Sequence, residues 1–157
     1  METKRASSRG PSALEDHLGY WLRRVSNHVS GGFAAALEEE GVSVAEWVVL
    51  RLLLGEAPQT QIRLAKATGL TPGALSKILG KLEAKGWVLR EASPEDLRML
   101  GCALTRKGRA LVPRLAHLAD RNEARCFDVL SDRERASLRG LLLKLVRAHQ
   151  LHGAPLT

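Results

Sequence analysis

The residues between Thr71 and Lys85 carry the most readable chemistry in this chain. At helical spacing Leu75, Ile78, Leu79 and Leu82 share one side, leaving Thr71, Gly73, Ala74, Ser76, Lys77, Gly80 and Lys81 on the other. That second side is small near its start, so a helix of this composition can approach base edges in a DNA major groove. Ser76 can donate or accept a hydrogen bond, Lys77 can reach guanine or a phosphate, and Ala74 suits a thymine methyl. Lys81 and Lys85, further along, match phosphates better. The free N–H groups at the helix start offer one more phosphate partner. A merely solvated helical face is the competing reading of the same pattern.

Three further groups have suggestive chemistry. Arg98, just after the turn between two apolar runs, has the guanidinium that the negative potential of a minor groove favours. An ordinary turn salt bridge explains it as well. Arg63, Lys66 and Arg90 are lesser candidates for phosphates. His17, Trp21, Arg24 and His28 recur at steps of four, three and four, which places them on one helix face. An arginine beside a tryptophan and histidines can hold an aromatic carboxylate through a forked hydrogen bond; polar interface residues or satisfied histidines account for the spacing too. Cys102 and Cys126 have no CxxC or Cys/His ligand spacing, so no metal site is expected. They read as two small, partly buried residues, with a redox switch as the alternative.

Local signals say how the reading residues are held. Gln61 to Gly80 has the layout of two short helices joined by a sharp turn at Gly69, a helix-turn-helix. Ala65 is small where the helices cross, and Leu64 and Leu70 face inward with Leu75 and Ile78. Thr71 followed by Pro72 supplies an N-cap and a favoured first residue for the second helix, which runs to about Lys85 before Gly86. Trp87–Ala92 and Arg98–Leu104 then read as antiparallel strands around Ser93-Pro94-Glu95-Asp96, with Gly101 expected to interrupt the return strand.

The flanks are helical. After a polar tail at 1–12, Leu14, Leu18, Trp21, Val25 and Val29 form the stripe of a helix beginning near Ala13 and stopped by Gly41. Ser43 with Glu46 is a capping box for a second helix that Gly55 ends. Thr105 caps a long helix in which Pro113 is expected to introduce a kink or a later start. Ser131 with Glu134 opens the last helix, through Leu138, Leu141, Leu142 and Leu145. The stripes of the first and last helices are wider than one chain of this size can cover, which predicts a symmetric dimer.

Charge agrees with a polyanionic partner. The chain of 157 residues has a formal charge of +7, and the excess is uneven. Residues 60–110 carry ten Lys/Arg against four Asp/Glu, whereas residues 1–59 carry six against eight. The positive charge thus concentrates on the helix-turn-helix and the strands after it. No apolar run is long enough to span a bilayer and the start has no apolar leader segment, so the expected compartment is the cytoplasm. No nucleophile motif, Gly-rich phosphate loop or HExxH is present; an enzyme is not expected, nor a cofactor.

Leu70 through Gly86, then Pro94–Arg98 and Leu104–Gly108, resemble the MarR-type winged helix-turn-helix regulators, and the likeness extends from about Leu14 to Leu145. The resemblance implies a mainly α fold with a small β wing. Residues 13–157 would form one MarR-like domain, with dimerisation helices at 13–42 and 106–150 around a winged helix-turn-helix at 43–105. It implies a homodimeric transcription regulator, in most members a repressor, that binds a pseudo-palindromic operator in double-stranded DNA. It also implies release by a small phenolic or aromatic carboxylate effector bound near the first helix, and an Asp96 that orients Arg98. Leu97 departs from the family by standing where a second basic residue commonly follows the acidic one. Two alternatives keep the fold but change the role: a winged-helix protein–protein adaptor, and a thiol-based redox regulator.

Overall fold

A computed structural model of the chain describes residues 11–55, 58–92 and 100–154. A short 3-10 turn at Leu14–Asp16 precedes α1 (Leu18–Glu39) and α2 (Val44–Leu52). β1 (Gln59–Thr60), α3 (Gln61–Thr68), α4 (Pro72–Ala84), β2 (Val88–Ala92) and β3 (Leu100–Leu104) follow, and α5 (Arg106–Phe127) and α6 (Asp132–Ala148) complete the order. The fold is mainly helical with one small antiparallel sheet, as expected. Among the described residues no helix is long and apolar enough to cross a membrane.

Hydroxyl side chains start most of the helices. The Ser43 hydroxyl accepts from the Glu46 amide at 3.2 Å while the Glu46 carboxylate accepts from the Ser43 amide at 2.8 Å. Ser131 and Glu134 repeat that box at α6. Thr60, Thr71 and Thr105 cap α3, α4 and α5 by accepting from the amide three residues on. Each bond satisfies a donor that the first helical turn leaves open, worth about 1 kcal/mol.

Several boundaries differ from the sequence expectation. The first helix does not begin near Ala13: the Asp16 carboxylate accepts the Ala13 amide and closes an isolated turn. His17 is extended, and α1 begins at Leu18. α2 stops at Leu52, before Gly55, because its last carbonyls are closed by the turn at Leu53 and Leu54. Pro113 does not delay α5, which runs from Arg106 through it.

The sheet contains a strand that the sequence pattern did not announce. Its order is β1-β3-β2, with Gln59 opposite Cys102 and Thr60 opposite Gly101. Gly101 does not interrupt β3; it is opposite Thr60 on one side and Glu91 on the other. A residue paired on both sides is held by ladders that offset the conformational entropy of glycine.

The core lies where α2, α3, α4, the sheet, the end of α1 and the start of α5 meet. Leu37, Leu50, Leu53, Leu64, Leu75, Leu79, Leu82, Val112 and Leu115 are almost wholly removed from solvent. The first half of α1 and all of α6 lie outside it: Leu18, Trp21, Leu22 and Val25 are exposed, and α6 buries no residue. After α6 the chain turns back, and Gly153 comes against Gly69, where an added Cβ on Gly153 would sit 3.4 Å from the Gly69 Cα.

Candidate nucleic-acid interface

The reading helix is seated by its own sequence. Leu75, Leu79 and Leu82 anchor α4 from within, and Ile78 is half-buried beside them. Thr71, Gly73, Ser76, Lys77, Gly80 and Lys81 are exposed on the other side, with Ala74 half-buried. Among the described residues none makes a hydrogen bond or ion pair with the Lys77 or Lys81 ammonium, so both charges face solvent. Gly69 joins α3 to α4 at φ 72°, a conformation that a side chain would strain.

Thr68, which sequence reasoning passed over, locks the turn. It is buried, its hydroxyl donates to the Leu64 carbonyl at 2.7 Å, and the same oxygen accepts from the Leu70 amide at 3.3 Å. A threonine late in a helix gives no sign in sequence that it serves the following turn.

The structure commits two expected phosphate ligands elsewhere. Lys85 donates to the Gly41 carbonyl at 2.8 Å and to the Glu46 carboxylate at 2.7 Å, and its ammonium lies 4.9 Å from the Trp87 ring centre. Arg90 forks onto Glu83, Nε to Oε1 at 2.9 Å and Nη2 to Oε2 at 3.3 Å, which braces β2 against α4. The hydrogen bond from Arg90 to Glu83 raises the guanidinium's pKa still further. Burial raises the Glu46 pKa, but hydrogen bonds from Lys85 and Ser43 and the nearby ammonium charge outweigh it, leaving the carboxyl below its usual 4.5. The stability this adds is complete above that ordinary value and is lost as pH falls through the lowered one.

Arg63 and Lys66 are exposed on α3 near the same surface. Asp96 and Arg98 lie outside the described residues. Cys102 is fully buried in β3, where desolvation pushes its thiol up, away from the reactive thiolate. Cys126 is half-buried on α5.

An apolar cleft opens between α1, α2 and α5, with a volume of about 570 Å³. Phe33 and Trp47 face it with rings edge-on, 6.1 Å apart, and Val29, Val44, Val48 and Ala119 extend the apolar wall. Its polar lining is Ser30, Asn122 and Glu123. Asn122 is buried, donating to the Val29 carbonyl and accepting from Arg125, both at 3.1 Å. Gly32 allows this approach, since a Cβ there would run into the Arg125 guanidinium. His17, Trp21, Arg24 and His28 line no part of the cleft. All four are exposed, but only Trp21, Arg24 and His28 are on α1; His17 precedes it as the extended N-cap residue, so helical spacing does not place it on their face. Trp21 donates to the Glu15 carbonyl at 2.8 Å and Arg24 donates to the Tyr20 hydroxyl at 3.2 Å. His17 shares a hydrogen bond with Ser12.

Comparison with known proteins places this architecture. The MarR family description matches residues 40–99. The HTH-type transcriptional repressor Rv2887 of Mycobacterium tuberculosis is 34% identical over 128 residues, covering 82% of this chain and 92% of the relative. The chain belongs to the MarR family. Solved structures of the same kind superpose over most of its length. CouR from Rhodococcus jostii RHA1, bound to p-coumaroyl-CoA, matches with a TM-score of 0.75 and 30% identity, over 86% of this chain and 95% of CouR. BpsR of Bordetella bronchiseptica, whose DNA binding is regulated by 6-hydroxynicotinic acid, matches with a TM-score of 0.74 and 26% identity, over 87% of this chain and 97% of BpsR. This MarR-family chain is a DNA-binding transcriptional regulator with a winged helix-turn-helix fold.

Proposed function

We propose that the chain acts in the cytoplasm, without catalysis, as a homodimeric repressor of a pseudo-palindromic operator. Residues 13–42 and 106–150 pair the two copies, and residues 43–105 read DNA. The observation that carries this reading is the seating of α4: three buried leucines fix it, while small residues and two unpaired lysines face outward. Thr71, Gly73, Ala74 and Ser76 approach base edges, Lys77 contacts a base or phosphate, and Lys81 and Arg63 contact phosphates. At the wing Asp96 orients Arg98 into the minor groove. Two such helices about 34 Å apart fit successive major grooves on one face of the duplex.

The cleft between α1, α2 and α5 is the proposed effector site. An aromatic ring can pack against the wall that Phe33 and Trp47 form together, with Ser30 and Asn122 as polar partners. The described behaviour of CouR and BpsR supports a small aromatic effector of this kind. Among the described residues of one chain Glu123 is the only charged one lining the cleft, so an acid group on the effector needs a cation from elsewhere. Arg24, on the α1 face that also carries Trp21 and His28, with His17 just before the helix, is the proposed source in the dimer. An effector releases the operator only by binding one separation of the reading helices better than another.

Selecting duplexes from a random pool with the purified protein and footprinting the winner tests the function. A two-fold symmetric site with half-sites one helical turn apart is expected, and affinity should fall steeply with salt. Absence of any binding at low salt would favour the adaptor role instead.

A further inference from the structure

The Lys85 ammonium sits where the chain brings four separate stretches together. Gly41 ends α1, Glu46 lies in the first turn of α2, Lys85 is the C-cap of α4, and Trp87 leads into β2. Glu46 is 5% exposed, and its second carboxylate oxygen is already used by the Ser43 amide. The Lys85 carbonyl in turn accepts from the Lys107 ammonium at 3.3 Å, which adds the start of α5. On α2 the residues Val44, Trp47 and Val48 face the apolar cleft, and helical geometry puts Glu46 on the opposite side. The same short helix therefore meets the cleft with one face and the end of the reading helix with the other.

We propose that Lys85 is a positioning residue for DNA reading and not a phosphate ligand: paired with Glu46 and seated on Trp87, it clamps the end of α4 to α2. The pose of the reading helix then follows the pose of the cleft wall. A lysine spent on a buried carboxylate adds no counterion release on DNA, whereas a phosphate ligand does. Loss of the clamp leaves the outward face of α4 chemically intact but free to tilt, so sequence-specific binding should suffer more than general attraction to a duplex. The inference rests on the proposed reading of α4 as the DNA-reading helix.

The test uses Glu46→Gln, Lys85→Met, their combination and Lys85→Arg, measured on the wild-type-selected duplex and on an unrelated one across a salt series. The single changes should each lower affinity for the selected duplex about tenfold, with the double no worse than either, as for partners in one interaction. The salt slope of Lys85→Met should equal that of wild type, and Lys85→Arg should recover most of the affinity. Should Glu46→Gln melt below the assay temperature, Lys85→Met still carries the test, because its apolar stem stays over Trp87. A fall of about 0.9 in the salt slope of Lys85→Met, with equal loss on both duplexes, would assign Lys85 to a phosphate and overturn the clamp. Variants that match wild type on the selected duplex overturn it as well. If wild type selects no sequence at all, the functional reading fails first and the clamp falls with it.

Discussion

The reading head and the helical frame around it are built to different degrees of completion. In the head, Leu64, Leu75, Leu79 and Leu82 are buried within one chain, the turn is locked by Thr68, and each helix start has a hydroxyl cap. In the frame, α6 buries nothing: Leu141, Leu142, Leu145 and Val146 stay in contact with water, as do Leu18, Trp21, Leu22 and Val25 on α1. Apolar faces of that extent on long helices need a second surface. The head is finished by its own sequence; on the proposed reading the frame is finished by another copy.

Breaking the frame should give the largest effect. Leu141→Glu with Leu145→Glu should convert the dimer to single chains in sedimentation and cut affinity for the selected operator by on the order of a hundredfold. The second half-site then no longer gains from the first. A variant that stays dimeric, or a monomer with full affinity, would place the pairing surface elsewhere.

Leu79→Ala acts within the head. Loss of a fully buried leucine costs about 3 kcal/mol, read as a lower denaturant midpoint with dimerisation retained. If that change dissociates the dimer without loss of stability, the division between head and frame is wrong. The smallest effect is expected from Thr71→Ala, which removes the cap of α4 and costs about 1 kcal/mol. It should weaken operator binding modestly and leave the frame untouched.

How much was legible in sequence follows the reach of each interaction. The helix-turn-helix bounds, the turn at Gly69 and the Ser43, Thr71, Thr105 and Ser131 caps are set by residues within four positions of one another, and they stand as expected. So does the inward set of Leu75, Leu79 and Leu82, because helical periodicity alone selects it. β1 was missed because two residues carry no alternation, and its partner lies beyond the whole helix-turn-helix. The partners of Lys85 and Arg90 were not legible for a related reason: a cation's charge is visible in sequence, but the Glu46 and Glu83 carboxylates that pair with it are not placed there. Gly101 was read from its own weak strand preference, which pairing on both sides overrides. The face of His17, Trp21, Arg24 and His28 was identified by spacing, whereas the Phe33–Trp47 cleft needs three helices to meet.

The contact between Gly153 and Gly69 has a practical side. The segment after α6 packs on the turn between α3 and α4, where a Cβ at Gly153 would also meet the Thr68 carbonyl at 3.4 Å. A bulky residue at position 153 would therefore press on that turn from outside, so a change more than eighty positions away in sequence can disturb how α3 joins α4.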